Sequence, residues 1–234
     1  MTTDTSSAPL TVISSMATRH VLTQLAEAYE RESGQRVSIM SIGGVDAARR
    51  VQGGEAFDVV VLAADALERL AQGGHVAAAS RVDVARSHVA VAIKQGEPRC
   101  DIRSESAVRD AVLRARTIGY STGPSGTHIL GLIRRWELAD AVASRSVEAP
   151  PGVPVGRLVA EGKVELGFQQ LSELVHEPGI DVIGTLPSTI QAVTVFSAGI
   201  CASSRQQDKA EAFLKHLTSK AADAAKIGNG MEPV

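Results

Sequence analysis

Four short stretches of this sequence offer hydroxyls, amides and glycines where a strand gives way to a helix: Ser14-Ser15, Gly43-Gly44, Ser121 to Thr127, and Gln169-Gln170. The third is the richest. A β-type run from Thr117 to Tyr120 leads into Ser121, Thr122, Gly123, Pro124, Ser125, Gly126 and Thr127. Ile129, Leu132, Ile133 and Trp136 then follow at the spacing of one helix face. Hydroxyl side chains, glycines that let backbone approach a ligand, and the unpartnered N–H groups of a first helical turn are the parts of an anion-binding turn. Taken alone, the stretch is also an ordinary N-cap. Four such strand ends in one chain argue for more, because open α/β sheets bind ligands beyond the carboxyl ends of their strands. No Lys or Arg lies in any of the four turns. The chemistry they suit is a small anion held by neutral donors and helix dipoles.

Covalent and acid–base alternatives are thinner. Gly123 to Thr127 approaches a nucleophile elbow, but Thr127 stands where the motif needs its second Gly. There is no Walker lysine, no HExxH and no paired-cysteine pattern, so no cofactor and no metal is expected. Of six histidines, His128 is the one nearest a ligand turn and is the candidate general base, although a polar residue on an exposed first turn is the simpler reading. Glu148 and Glu173 are alternative bases, read more simply as solvated surface acids. Arg49 and Arg50 could pair with a carboxylate; a solvated helix face serves at least one of them as well.

The elements that must position these residues follow from the apolar pattern. Leu10–Ile13, Val37–Met40 and Phe57–Leu62 are strands, each followed by a helix: one with Leu22, Leu25, Ala26 and Tyr29 on one face, one over 46–51, one with Leu67 and Leu70. Repeated strand–helix units argue for a parallel sheet with helices on its faces. The second half offers strands at His88–Ile93, Thr117–Tyr120, Val164–Phe168, Asp181–Ile183 and, long and half-buried, Ile190–Cys201. Helices follow Ser104 and Gly123, a short one begins at Val155 after the rigid turn Ala149–Pro154, and a last one buries Ala210, Phe213, Leu214 and Leu217.

At 234 residues the chain can bury a large core, as one domain or two lobes. A net charge of -2 and no long basic run speak against nucleic acid as a partner, and 3% aromatic residues speak against a site built on stacking. No stretch approaches the roughly 20 apolar residues of a membrane span, so no membrane insertion is expected. The N-terminal residues are polar and do not read as a secretory signal, which places the chain in the cytoplasm as written, and in the periplasm if a leader was removed. Cys100 and Cys201 lie far apart and read as reduced thiols.

The order and spacing of the motifs resemble the periplasmic molybdate-binding protein family, the substrate-binding components of ABC transporters, with the type II periplasmic binding fold. The matching residues are Ser14-Ser15-Met16, Gly43-Gly44 with Ala47-Ala48-Arg49, Phe57-Asp58-Val59, Gly119, Pro124-Ser125-Gly126, and Leu166-Gly167-Phe168 with Ser172. The resemblance runs from about Leu10 to the C-terminus. It implies an α/β protein of two lobes, each a mostly parallel sheet flanked by helices, with the ligand in a cleft between them. Residues 1–84 and 196–234 would form one lobe and 85–195 the other. The family's oxyanion contacts fall on Ser15, on Gly43-Gly44, on Ser125, on Gly152-Val153 and on Gln170. The sequence departs from the family at two of these: glycines replace a serine-rich second turn, and Gln170 replaces a tyrosine. The space left by glycines would suit an organic carboxylate larger than a tetrahedral oxyanion. The expected function is a monomeric solute-binding protein for a small anion, with an ABC permease as partner if the chain is exported. The alternatives are an isomerase that moves a double bond in a small organic acid or keto compound by proton transfer, and an intracellular ligand sensor.

Overall fold

The computed structural model describes residues 8–234. In chain order the elements are β1 (Leu10–Ser15), α1 (Arg19–Ser33), β2 (Val37–Ile42), α2 (Gly44–Gln52), β3 (Val59–Ala63), α3 (Ala64–Gln72), β4 (Val82–Lys94), α4 (Glu105–Arg114), β5 (Ile118–Tyr120), α5 (Pro124–Arg135), α6 (Ala139–Val142), β6 (Ser146–Glu148), α7 (Val155–Ala160), β7 (Leu166–Gln170), α8 (Leu171–Leu174), β8 (Ile180–Thr185), β9 (Val193–Ile200), α9 (Gln207–Leu217), α10 (Asp223–Gly228) and β10 (Glu232–Pro233). The chain divides into two compact units. The first takes the chain up to Ala85 with Val195–Gly228 and Glu232–Val234; the second takes Arg86–Thr194 with Asn229–Met231.

In the first unit β1 lies between β2 and β3, parallel to both, with Leu10 opposite Val37 and Val12 opposite Val59. β9 closes the order antiparallel to β3, Val59 facing Ile200. β3 reads Val-Val-Val-Leu-Ala and is buried along its whole length, as a strand covered on both faces must be. Ile13, Val60 and Leu62 pack with Ala47 and Val51 of α2 and with Leu67 and Leu70 of α3. α1 buries Leu22, Leu25 and Tyr29, and Tyr29 meets Phe213 of α9 edge to face at 5.2 Å. Each fully buried leucine of this kind stabilises the fold by about 1.5–3 kcal/mol. Asp58 ties β1, β3 and the start of α9 together. Its carboxylate accepts from Thr11 N and Thr11 Oγ1, both at 2.9 Å, from Ser204 Oγ at 2.7 Å and from Gln206 Nε2 at 3.2 Å. Burial pushes its pKa up, but these four donors outweigh that and hold it below the usual carboxylate value.

In the second unit β5 lies parallel to both β6 and β7, β4 runs antiparallel to β7, and β8 runs antiparallel to β4 with an irregularity between Val91 and Ala92. The sheet is therefore mixed: parallel strands carry the helices, and antiparallel strands bring the chain in and out. Val89, Val91, Ile118 and Phe168 pack with Val108 and Val112 of α4 and with Ile129 and Ile133 of α5.

The pattern reading departs from the structure at a few elements. β4 starts at Val82 rather than His88; Asp83 and Arg86 interrupt its apolar pattern, and Asp83 sits in the strand because its carboxylate accepts from Ser197 Oγ at 2.6 Å. The strand expected from Ile190 starts at Val193. Gln191 stands in for a strand partner instead, its Oε1 accepting from Val89 N at 3.0 Å and its Nε2 donating to Val89 O at 3.1 Å. α6, β6 and α10 were too short or too polar to show a period.

Candidate functional site

The apolar run of β1 ends on two serines that are both buried, and their side chains have different uses. Ser14 Oγ lies 2.8 Å from Ser41 Oγ and 3.3 Å from Ser15 O, which occupies it within the sheet. Ser15 Oγ is buried and has no hydrogen-bond partner. A buried hydroxyl without a partner is destabilising by about 1–3 kcal/mol, so its persistence points to a group that arrives from outside. α2 begins beside it: a Cβ placed on Gly44 would come 3.6 Å from Ser15 Cβ. Gly43 precedes that helix and no side chain caps it. The first-turn N–H groups of α2 and the Ser15 hydroxyl are thus neighbouring donors for one anionic group. Arg49 and Arg50 are not part of this set. Arg49 is exposed and pairs with Asp46 at 2.7 Å; Arg50 pairs with Glu55 and lies over the Phe57 ring.

The second unit has its own set. α5 starts with Pro124 at its first turn, and Gly123 leaves the helix uncapped by any side chain. Ser125 and Gly126 are buried, while Thr122 and Thr127 are exposed. Ser121 Oγ lies 3.1 Å from Ser125 Oγ and accepts from Gly123 N at 3.3 Å. A Cβ on Gly126 would stand 1.6 Å from Ser121 O, so only glycine fits where the turn folds back on the helix. Gly152 is exposed and adopts φ 77°, and Val153 is half-buried in the turn that leads to α7.

β7 ends in two buried amides whose side chains alternate, as in any strand. Gln170 Nε2 donates to Thr194 Oγ1 at 2.8 Å, and its Oε1 is buried without a partner. Because a hydroxyl both donates and accepts, the amide can turn over, keep that bond and present Nε2 as a donor. Gln169 is fully engaged. Its Oε1 accepts from Val155 N at 2.9 Å and Gly156 N at 3.4 Å, and its Nε2 donates to Glu173 Oε1 at 2.8 Å. Its amide is thus spent within the unit and is not offered to a ligand.

Glu173 corrects the reading of a solvated surface acid. The residue is half-buried rather than solvated. Burial pushes its pKa to about 7, against the hydrogen bond from Gln169, which lowers it. The sequence named it as an alternative base but could not show its burial, which comes with the bond from Gln169, a side chain that also holds the first turn of α7. Glu148 is exposed. His128 is half-buried, and its Nε2 meets Ile190 O at 2.7 Å; only a ring with the proton on Nε2 can make that bond, which leaves Nδ1 as its basic atom. Among the described residues no group of three or more His, Cys, Asp or Glu could hold a metal ion. Cys100 and Cys201 are free thiols, Cys201 buried and its pKa pushed up to about 12 by desolvation.

Comparison with known proteins adds the following. The family model described as bacterial extracellular solute-binding protein matches residues 10–232. The aconitate isomerase of a Pseudomonas species is 35% identical over 230 residues, covering 96% of this chain and 88% of that protein. Among solved structures, the periplasmic molybdate-binding protein of Azotobacter vinelandii superposes with a TM-score of 0.77 at 23% identity, over 95% of this chain and 98% of that one. The PBP AgtB from A. tumefaciens R10, in complex with agropinic acid, superposes with a TM-score of 0.77 at 12% identity, over 97% of this chain and 83% of that one. At such identities the two structures speak for the fold alone.

Proposed function

Because the chain belongs to the bacterial extracellular solute-binding protein family and has its type II periplasmic binding fold, we propose that it binds a small unsaturated polycarboxylic acid of the aconitate type and moves its double bond by proton transfer. The observation that carries this reading is Glu173, an acid in the first turn of α8, three residues after the Gln170 strand end, tied to Gln169 Nε2 at 2.8 Å and with its pKa pushed by burial to about 7. A general base works best when its pKa lies near the operating pH. The 35% identity to an aconitate isomerase, nearly end to end, supports the same substrate class.

The chemistry balances without a cofactor. A C–H bond breaks at a CH2 group that stands between a carboxylate and a double bond. The proton passes to the Glu173 carboxylate, and the electron pair spreads over the three-carbon unit and its carboxylates. Protonated Glu173 then returns the proton to the far end of that unit, and the double bond has moved. In the first unit the Ser15 hydroxyl and the first turn of α2, and in the second unit by itself the Gln170 amide and the first turn of α5, have donors that can hold a carboxylate.

The test is to incubate the protein separately with cis- and trans-aconitate in D2O and follow the proton NMR spectrum. The expected result is formation of the other isomer, reduced by a factor of about 10²–10⁴ in Glu173→Gln while the acid still raises that variant's melting temperature. Binding of aconitate with no turnover by the wild-type protein would leave a solute-binding protein and remove the enzyme. Stabilisation by molybdate or tungstate only would assign the donors to a metal oxyanion.

A further inference from the structure

We infer that Gln169 is a positioning residue for the proton-transfer step: it ties the Glu173 carboxyl to the first turn of α7, so that one carboxyl oxygen accepts its hydrogen bond and the other carries the proton. This rests on the reading of Glu173 as the proton carrier.

The lock follows from the polarity of the amide. Val155 N and Gly156 N can only donate, so the oxygen of Gln169 must face them. The NH2 end is then forced towards Glu173, 2.8 Å away. Unlike the Gln170 amide, which rests on a hydroxyl and can turn over, this one has a single orientation. In the acid form the carbonyl oxygen, the better acceptor, takes the bond from Nε2 and the other oxygen carries the proton. Gln169 is 2% exposed. Charged neighbours do not compete. Arg157 of α7 reaches out to Glu161, Glu177 packs its aliphatic stem towards Gly156, and His176 Nε2 is held 2.8 Å from Asn229 Oδ1. Burial and the Gln169 hydrogen bond are the two causes acting on the Glu173 pKa.

Gln169 therefore decides where Glu173 titrates. Without the Nε2 donor, burial is unopposed and the carboxyl holds its proton to higher pH. The sign for stability follows. The folded chain binds this proton more tightly than the unfolded chain, so the stabilising effect is full at low pH and is lost as the pH rises from the ordinary carboxylate range through about 7. Subtracting the pH–stability curve of Glu173→Gln from that of the protein reads the folded-state titration directly, with no reference to activity.

The experiment measures that difference curve, and the pH profile of kcat for aconitate isomerisation, in two backgrounds: Gln169→Met, which removes the amide, and Gln169→Glu, which keeps an acceptor for Val155 N and Gly156 N and so keeps the α7 start. The expected result is that both variants move the Glu173 titration, and the acid limb of kcat with it, upward by about one to two pH units, with KM little changed. Because the new carboxylate of Gln169→Glu would itself repel Glu173 and raise its titration, the neutral variant decides: a titration and an acid limb that stay in place in Gln169→Met overturn the inference. If the protein shows no isomerase activity but the titration moves, the lock stands and the proposed reaction falls. If activity depends on Glu173 and nothing moves, the reaction stands and the lock falls.

Discussion

Ser15 and Gln170 share a property that sequence alone could only suggest: each keeps a buried polar atom without a partner. Their positions were legible, since each follows an apolar strand run directly. What the sequence could not separate was each of them from its neighbour. Ser14 is consumed by Ser41, and Gln169 by Glu173 and the start of α7. The choice of which of two adjacent polar residues faces a ligand is set by strand alternation and by contacts from distant segments. This distinction has a measurable consequence. In Ser15→Ala the orphaned hydroxyl is gone, so the free protein should be as stable as before or more stable by up to about 1 kcal/mol, read from urea unfolding. The same variant should bind its acid about tenfold more weakly, as loss of one hydrogen bond to a charged group implies. A loss of stability in the free protein would show that the hydroxyl serves the fold and not a ligand.

At the scale of elements, long apolar runs were readable and short polar ones were not. β3 and the helices α1, α3 and α9 announce themselves by period, because each buries one face or both. β6 is three residues long and half-exposed, and pairs only because β5 lies parallel beside it. The same dependence on neighbours governs the turn between β5 and α5. Its glycines looked like ligand-approach residues, but Gly126 is first a packing requirement, with Ser121 O where a Cβ would stand. Gly126→Ala must therefore push the Ser121 turn away from the helix. The expected loss is about 1–3 kcal/mol in stability, the range for overpacking a buried site. Ser104→Ala provides the calibration, since Ser104 Oγ accepts from Ala107 N at 3.2 Å as an ordinary N-cap; it should lower stability by about 1 kcal/mol without touching ligand binding. Gly126→Ala should lower both, because the displaced turn carries Ser125 and the first N–H groups of α5.

For the whole molecule, the fold class and the family could be read from the order of weak motifs, while the ligand could not. The same fold serves a molybdate-binding protein and an agropinic acid complex at 23% and 12% identity, so it leaves the chemistry to the residues at the strand ends. There, the first unit offers glycines at the start of α2 and no Lys or Arg in its turns. A compact dianion such as molybdate needs many short donors converging on one centre, and two glycines contribute backbone N–H groups only. A polycarboxylate spreads its charge over several groups and can be met by separated donors. A thermal-shift panel of molybdate, tungstate, sulfate, phosphate and di- and tricarboxylates distinguishes the two cases by mass action. An acid present at a hundred times its dissociation constant stabilises the folded state by about 2.7 kcal/mol, which for a chain of this size raises the melting temperature by roughly 5–11 °C. The expected shift is with an unsaturated tricarboxylate and not with the tetrahedral oxyanions. If Ser15→Ala and Gln170→Ala each reduce that shift, both orphaned atoms serve the acid; if one of them leaves the shift unchanged, that atom needs a different partner.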